Sequence, residues 1–169
     1  RPADLGDGLF GYQNEGKLIA TYRDDSGDTA MRMEVYADTE FVAGEERINW
    51  PHLLIGADSL QSVPRRIADF SELTYSMDVK INSCENTMTE AEYDPSRHCA
   101  QTTAYFIIQN LDRSSKGYGE FIWFGIPIFD NRSDFPGSML IIDGDPEEDS
   151  DRGATGAVIY VIGGDDMLE

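Results

Sequence analysis

Residues 72–82, ELTYSMDVKIN, alternate without a break. Leu73, Tyr75, Met77, Val79 and Ile81 fall on one parity, and Thr74, Ser76, Asp78 and Lys80 on the other. A period of two separates these sets onto opposite faces of an extended chain, whereas a helical period would scatter them. The stretch predicts a half-buried antiparallel strand. TAMRMEVYA (29–37) repeats the pattern through Met31, Met33 and Val35, and GKLIATY (16–22) reads as a further strand. TAYFIIQN (103–110) and EFIWFGIPIF (120–129) are apolar on both parities, as in strands covered on both sides, although Gly125 and Pro127 interrupt the second. SMLIID (138–143), GAVIYVIGG (156–164) and NWPHLLIG (49–56) complete a set of about eight strands. Turn-rich segments such as DDSGD, DRSSKGYG and DFPG separate them. Helical periodicity is nearly absent; only 58–70 could hold a short helical turn, and Pro64 cuts it. The expectation is an all-β chain, an antiparallel β-sandwich of jelly-roll type, with residues 1–169 as a single domain. The chain opens at Arg1 without a methionine, as a mature or excised segment would, and stops just after a strand, as a truncated jelly roll would.

Thirty-two acidic residues against 13 basic ones give a net charge of −19. Such a surface repels the phosphates of nucleic acid and anionic membranes, so neither is an expected partner. The longest apolar run, near 121–129, is about half of a membrane span. Acidity of this density does suit divalent cations. The loop DGDPEEDSD (143–151) offers Asp143, Asp145 and Asp149 as hard oxygen ligands, with calcium the expected ion, although glycine placement and flanks exclude an EF-hand. The competing reading is solvated charge. RDDSGD (23–28) and GGDD (163–166) are further carboxylate clusters.

Cys84 and Cys99 flank a polar loop between strand candidates and fit no zinc motif. A disulfide between them would close a loop of about 15 residues, contribute roughly 3 kcal/mol, and imply an oxidising, extracellular setting. The alternative is two ordinary thiols. Asn131-Arg132-Ser133 is an N-glycosylation sequon.

If 101–110 pairs with 120–129, one face of the first strand carries Gln101, Thr103, Tyr105, Ile107 and Gln109, while Thr102, Ala104, Phe106 and Ile108 form a core face. The mixed face suits a sugar, whose C–H face stacks on an aromatic ring while amides and charges bond its hydroxyls. Trp123 shares parity with Phe121 and Phe129; Glu120 and Asp130 share the other, and a bulge at Gly125 or Pro127 would switch it. Trp123 is then either a core ring or a stacking platform. Asp130 and Arg132 either bond the glycan or form a salt bridge at a strand end. No catalytic residue is assigned. Asp78 and Glu120 are a conceivable carboxylate pair, and His98 or Tyr105 a conceivable lyase base, but no spacing singles them out.

HCAQTTAYFIIQNLDRSSKGYGEFIWFGIPIFDNR (98–132) resembles a pattern in secreted bacterial jelly-roll domains of concanavalin A-like type. The matching order is an H-x-A-Q strand start, an aromatic strand ending QN, a GYG turn, a WFG strand and D-x-R. It falls on His98, Gln101, Gln109, Asn110, Tyr118, Trp123, Asp130 and Arg132. The resemblance covers about a fifth of the chain and implies a glycan-facing sandwich that is either a noncatalytic carbohydrate-binding module or a polysaccharide-degrading hydrolase or lyase. The expected function is polysaccharide binding outside the cell through Gln101, Tyr105, Gln109, Tyr118, Trp123, Asp130 and Arg132. A degrading enzyme is the first alternative and an adhesion or protein-interaction domain the second.

Overall fold

The computed structural model describes residues 1–40, 51–56, 66–134, 136–144 and 155–163. They fall into two compact units, Arg1–Ser76 and Met77–Glu169. Among the described residues the chain is mostly β, with two four-stranded sheets and almost no helix.

The first unit holds an antiparallel meander, β1 (Ala3–Gly6), β2 (Leu9–Gln13), β3 (Lys17–Arg23) and β4 (Thr29–Val35), in the order β1-β2-β3-β4. Its first hairpin turns on Asp7-Gly8, with φ of 51° and 78°, the left-handed pair that a two-residue type I′ turn requires. Asp24 makes the β3–β4 turn: its Oδ1 accepts the backbone N–H groups of Ser26 and Asp28, each at 2.9 Å. The carboxylate cluster at 23–28 is therefore built around a turn acceptor. Leu18 and Ala20 are buried on one face of β3, while Phe10, Tyr12, Met31, Met33 and Val35 are exposed. A four-residue helix, α1 (Ala37–Glu40), follows, and a 3-10 turn occupies Ile67–Asp69, within the 58–70 stretch that could hold a short helical turn.

The second unit holds β5 (Gln101–Gln109), β6 (Phe121–Asp130), β7 (Met139–Ile142) and β8 (Val158–Val161) in the order β5-β6-β8-β7. β5 and β6 form the expected antiparallel hairpin. β8 runs parallel to β6 and antiparallel to β7, so this sheet is mixed rather than antiparallel. The chain from β6 to β7 leaves one strand space open, and β8 returns into that space in the direction of β6. The neck of the returning loop is closed by Asp143, whose N–H donates to Ala157 O at 2.9 Å and whose Oδ2 accepts Thr155 Oγ1–H at 2.6 Å.

Three expectations fail here. Residues 72–82 form no strand, and Leu73, Tyr75, Met77, Val79 and Ile81 are all exposed. Alternation makes a chain fit to pair, but pairing also needs a free sheet edge in register, and no ladder reaches this segment among the described residues. The part of 49–56 that is described, 51–56, likewise forms no strand; residues 49 and 50 lie outside the described residues. Cys84 and Cys99 are free and exposed, not disulfide-bonded. The expected disulfide suits two cysteines at adjacent strand ends, but Cys84 ends no strand, and among the described residues β5 pairs with β6 alone. Within the intervening loop the side-chain bonds are local turns: Thr89 N–H and Oγ1–H donate to Glu92 Oε2, and Ser96 N–H and Oγ–H donate to Asp94 Oδ1.

Candidate functional site

A groove of about 390 Å³ lies on the mixed face of the second sheet. That volume is within the ordinary range for small-ligand sites. Its construction follows from one row across the sheet. Tyr105 on β5 stands opposite Gly125 on β6, which neighbours Val161 on β8, which stands opposite Met139 on β7. Gly125 leaves a dip in that row, and the Tyr105 ring leans into it. A Cβ at Gly125 would sit 2.7 Å from Tyr105 Cε1 and 3.0 Å from Val161 Cγ2. The next rows toward the strand ends are Thr103 opposite Pro127 and Gln101 opposite Asp130.

A register shift between Thr102 and Thr103 makes that last pairing possible. The extra residue on β6 falls beside Pro127, which cannot donate to the ladder. It switches the parity of the strand, so that Asp130 arrives on the face of Tyr105 and Trp123 rather than on the opposite one. Beyond the strand end, Asn131 keeps the two chains together: Ala100 N–H donates to Asn131 Oδ1 at 2.8 Å, and Asn131 N–H donates to Ala100 O at 3.1 Å. This fixes the direction in which Arg132 leaves the sheet.

Asp130 is 8% exposed and carries the densest bonding in the groove. Its Oδ1 accepts the backbone N–H and Nε–H of Arg132, both at 2.9 Å. Its Oδ2 accepts Arg132 Nη2–H at 2.6 Å and Gln101 Nε2–H at 2.7 Å. Four donors fill the four lone-pair positions of a carboxylate. The bonds from Arg132, ahead of that from Gln101, hold the Asp130 carboxyl well below the usual carboxylate range against the opposing effect of burial. The same pairing with Asp130 raises the Arg132 guanidinium above its already high value. Asp130 therefore has no lone pair left for a ligand and no tendency to take up a proton. It orients Arg132 and Gln101, and those two present the groove's polar end.

The sequence-derived site residues separate into groups. Gln101, Tyr105, Asp130 and Arg132 line one groove. Gln109 and Tyr118 lie at the hairpin tip, about 27 Å from Gln101 along a nine-residue strand. There Gln109 Nε2–H donates to Gly119 O at 3.2 Å, and the Arg113 guanidinium lies 5.9 Å from the centre of the Tyr118 ring. Trp123 is half-buried, edge-on to Tyr105 at 5.3 Å between centroids, with its indole N–H buried and unpartnered. It buttresses Tyr105 from outside the groove lining. Asp143 closes a loop neck, and Asp145 and Asp149 lie outside the described residues. Among the described residues no group of three or more metal-ligating side chains comes together, and no helix is long and apolar enough to cross a membrane.

Of the conceivable catalytic groups, Tyr105 lines the groove and none of the others joins it there. Asp78, Glu120 and His98 do not line it. His98 Nδ1 accepts the Asp94 backbone N–H at 3.0 Å, which ties the ring to the 94–98 turn. Missed by sequence reasoning were Val161 and Met139, because strand patterns do not say which strand adjoins β6, and Pro136 and Gly137, which sit before β7. No family model, curated protein or solved structure matches this chain.

Proposed function

We propose that this chain is an extracellular, noncatalytic carbohydrate-binding module of β-sandwich, jelly-roll type, and that a polysaccharide lies in the groove of the second sheet. The observation that carries the reading is the groove itself, in which an exposed tyrosine edge stands beside an amide and a guanidinium on one sheet face. A sugar ring offers a C–H face to Tyr105 and hydroxyls to Gln101 and Arg132. Binding is favoured over hydrolysis because, among the described residues, the groove's lining contains one carboxylate, Asp130, whose lone pairs are filled, while glycoside hydrolysis needs two working carboxyls. The β-sandwich part of the reading is supported by two four-stranded sheets and almost no helix among the described residues.

Calcium belongs to the same proposal, with Asp143 supplying Oδ1 while Oδ2 holds Thr155. A melting temperature that rises in calcium but not in magnesium at equal ionic strength is the expected result. The function is tested by affinity electrophoresis through gels holding soluble polysaccharides. At least one gel should retard the protein, and Tyr105→Ala should reduce that retardation about tenfold, the effect of losing about 1.4 kcal/mol. Failure of every gel, or a Tyr105→Ala variant retarded like the parent, overturns the reading.

A further inference from the structure

The Arg132 guanidinium has five N–H groups. Nε–H and one Nη2–H are held by Asp130, in a side-on pair. The two Nη1–H groups and the second Nη2–H make no other bond among the described residues, and the Arg132 side chain is 35% exposed where it lines the groove. What remains toward the ligand is the end-on fork of a guanidinium, already immobilised by a buried carboxylate. Two parallel N–H bonds from such a fork match the two oxygens of a planar carboxylate. Beside it, Gln101 has its Nε2–H turned to Asp130, which leaves its Oε1 as an acceptor for a hydroxyl. Donor fork, acceptor amide and aromatic edge thus occur in sequence along the groove.

Building on the carbohydrate reading, we infer that the groove selects acidic glycans, and that the outer edge of Arg132 takes the carboxylate of a uronic acid residue. The net charge of −19 opposes this at long range. Locally the opposition is weak. Among the described residues Asp130 is the one acidic group that lines the groove, and Arg132 neutralises it, while charges farther away are screened beyond about 8 Å at physiological ionic strength. A short-range fork and a long-range repulsion also have opposite salt dependences. Raising salt from low to physiological levels should therefore strengthen binding of the polyanion, the reverse of binding driven by a basic patch.

The test compares oligogalacturonides with the same oligomers methyl-esterified, so that the backbone is kept and the charge removed, with dextran sulfate as the charge control. Titration calorimetry on the intact chain should show the acid binding at least tenfold more tightly than the ester, and dextran sulfate binding no better than the ester. Arg132→Lys keeps a cation for Asp130 but loses the fork and one of the two side-chain bonds to that carboxylate; it should bring the acid down to the ester's affinity, while a cooperative thermal melt at a lowered midpoint shows the chain still folded. If acid and ester bind alike, or if Arg132→Lys keeps the preference, the carboxylate inference fails while carbohydrate binding stands. Dextran sulfate binding as tightly as the acid also overturns it, because charge alone would then suffice. Should the oligogalacturonides fail while a neutral polysaccharide retards the protein, the inference falls and the module stands. If no glycan of any kind binds, the carbohydrate reading itself is overturned.

Discussion

Asp130→Asn changes one atom of the groove and reverses its hydrogen-bonding sense. The remaining carbonyl oxygen can still accept the backbone and Nε donors of Arg132, now without charge. The new amide faces two donors, Arg132 Nη2 and Gln101 Nε2. Gln101 can turn its amide over and accept; Arg132 cannot. One charge-assisted bond of about 1.5–3 kcal/mol is therefore lost outright. Water reaching the partly exposed guanidinium returns some of it, which leaves a cost of about 2 kcal/mol. Urea unfolding followed by fluorescence, in a Trp50→Phe background that makes Trp123 the reporter, should move its midpoint down by roughly 1 M. The gap should also depend on pH in one direction. The folded carboxyl lies below its ordinary value of 3.8, so its contribution is complete above that value and is lost as pH falls toward the native one. Asparagine does not titrate. The advantage of the parent over the variant should thus be constant from pH 7 to about pH 5 and shrink below pH 4, by up to about 1.4 kcal/mol per unit. Equal midpoints at pH 7, or a gap that stays flat down to pH 2.5, would refute the view of Asp130 as a saturated, ionised anchor.

Gly125→Ala places a methyl 2.7 Å from Tyr105 Cε1, and the ring can swing away; the cost should be about 1–3 kcal/mol in urea unfolding, with weakened glycan retardation because the ring moves into the groove. Trp123→Phe removes an indole N–H that is buried without a partner and should cost less than about 1.5 kcal/mol; Trp123→Ala should cost about 3 kcal/mol by thermal melt. Equal effects of the two would mean that the ring does not buttress Tyr105. Thiol titration of the unfolded, unreduced chain should find two thiols, from Cys84 and Cys99; finding none would restore the disulfide.

Much of the second sheet was legible because it is local. The β5–β6 hairpin, its mixed face and even the parity switch beside Pro127 follow from side-chain period and from the missing proline donor, which act within a few residues. Asp7-Gly8 is the dipeptide that a two-residue hairpin favours, but Leu9–Gln13 alternates too weakly for its pattern to mark a strand. The segment 72–82 marks the limit of such reasoning. Its alternation is the cleanest in the chain, and it forms no strand, because a strand exists only where another edge supplies its hydrogen bonds. The neighbour order β6-β8-β7 was likewise beyond the pattern, although it puts Val161 and Met139 beside Tyr105 and gives the groove its second wall. Asp130 and Arg132 could be named from the sequence as a pair. Their roles could not, since the count of donors around one carboxylate depends on Gln101, 29 residues away, and on a bulge that turns both toward the same side. Side-chain period is a property of the chain; the partners of an edge or a lone pair are a property of what folding brings beside it.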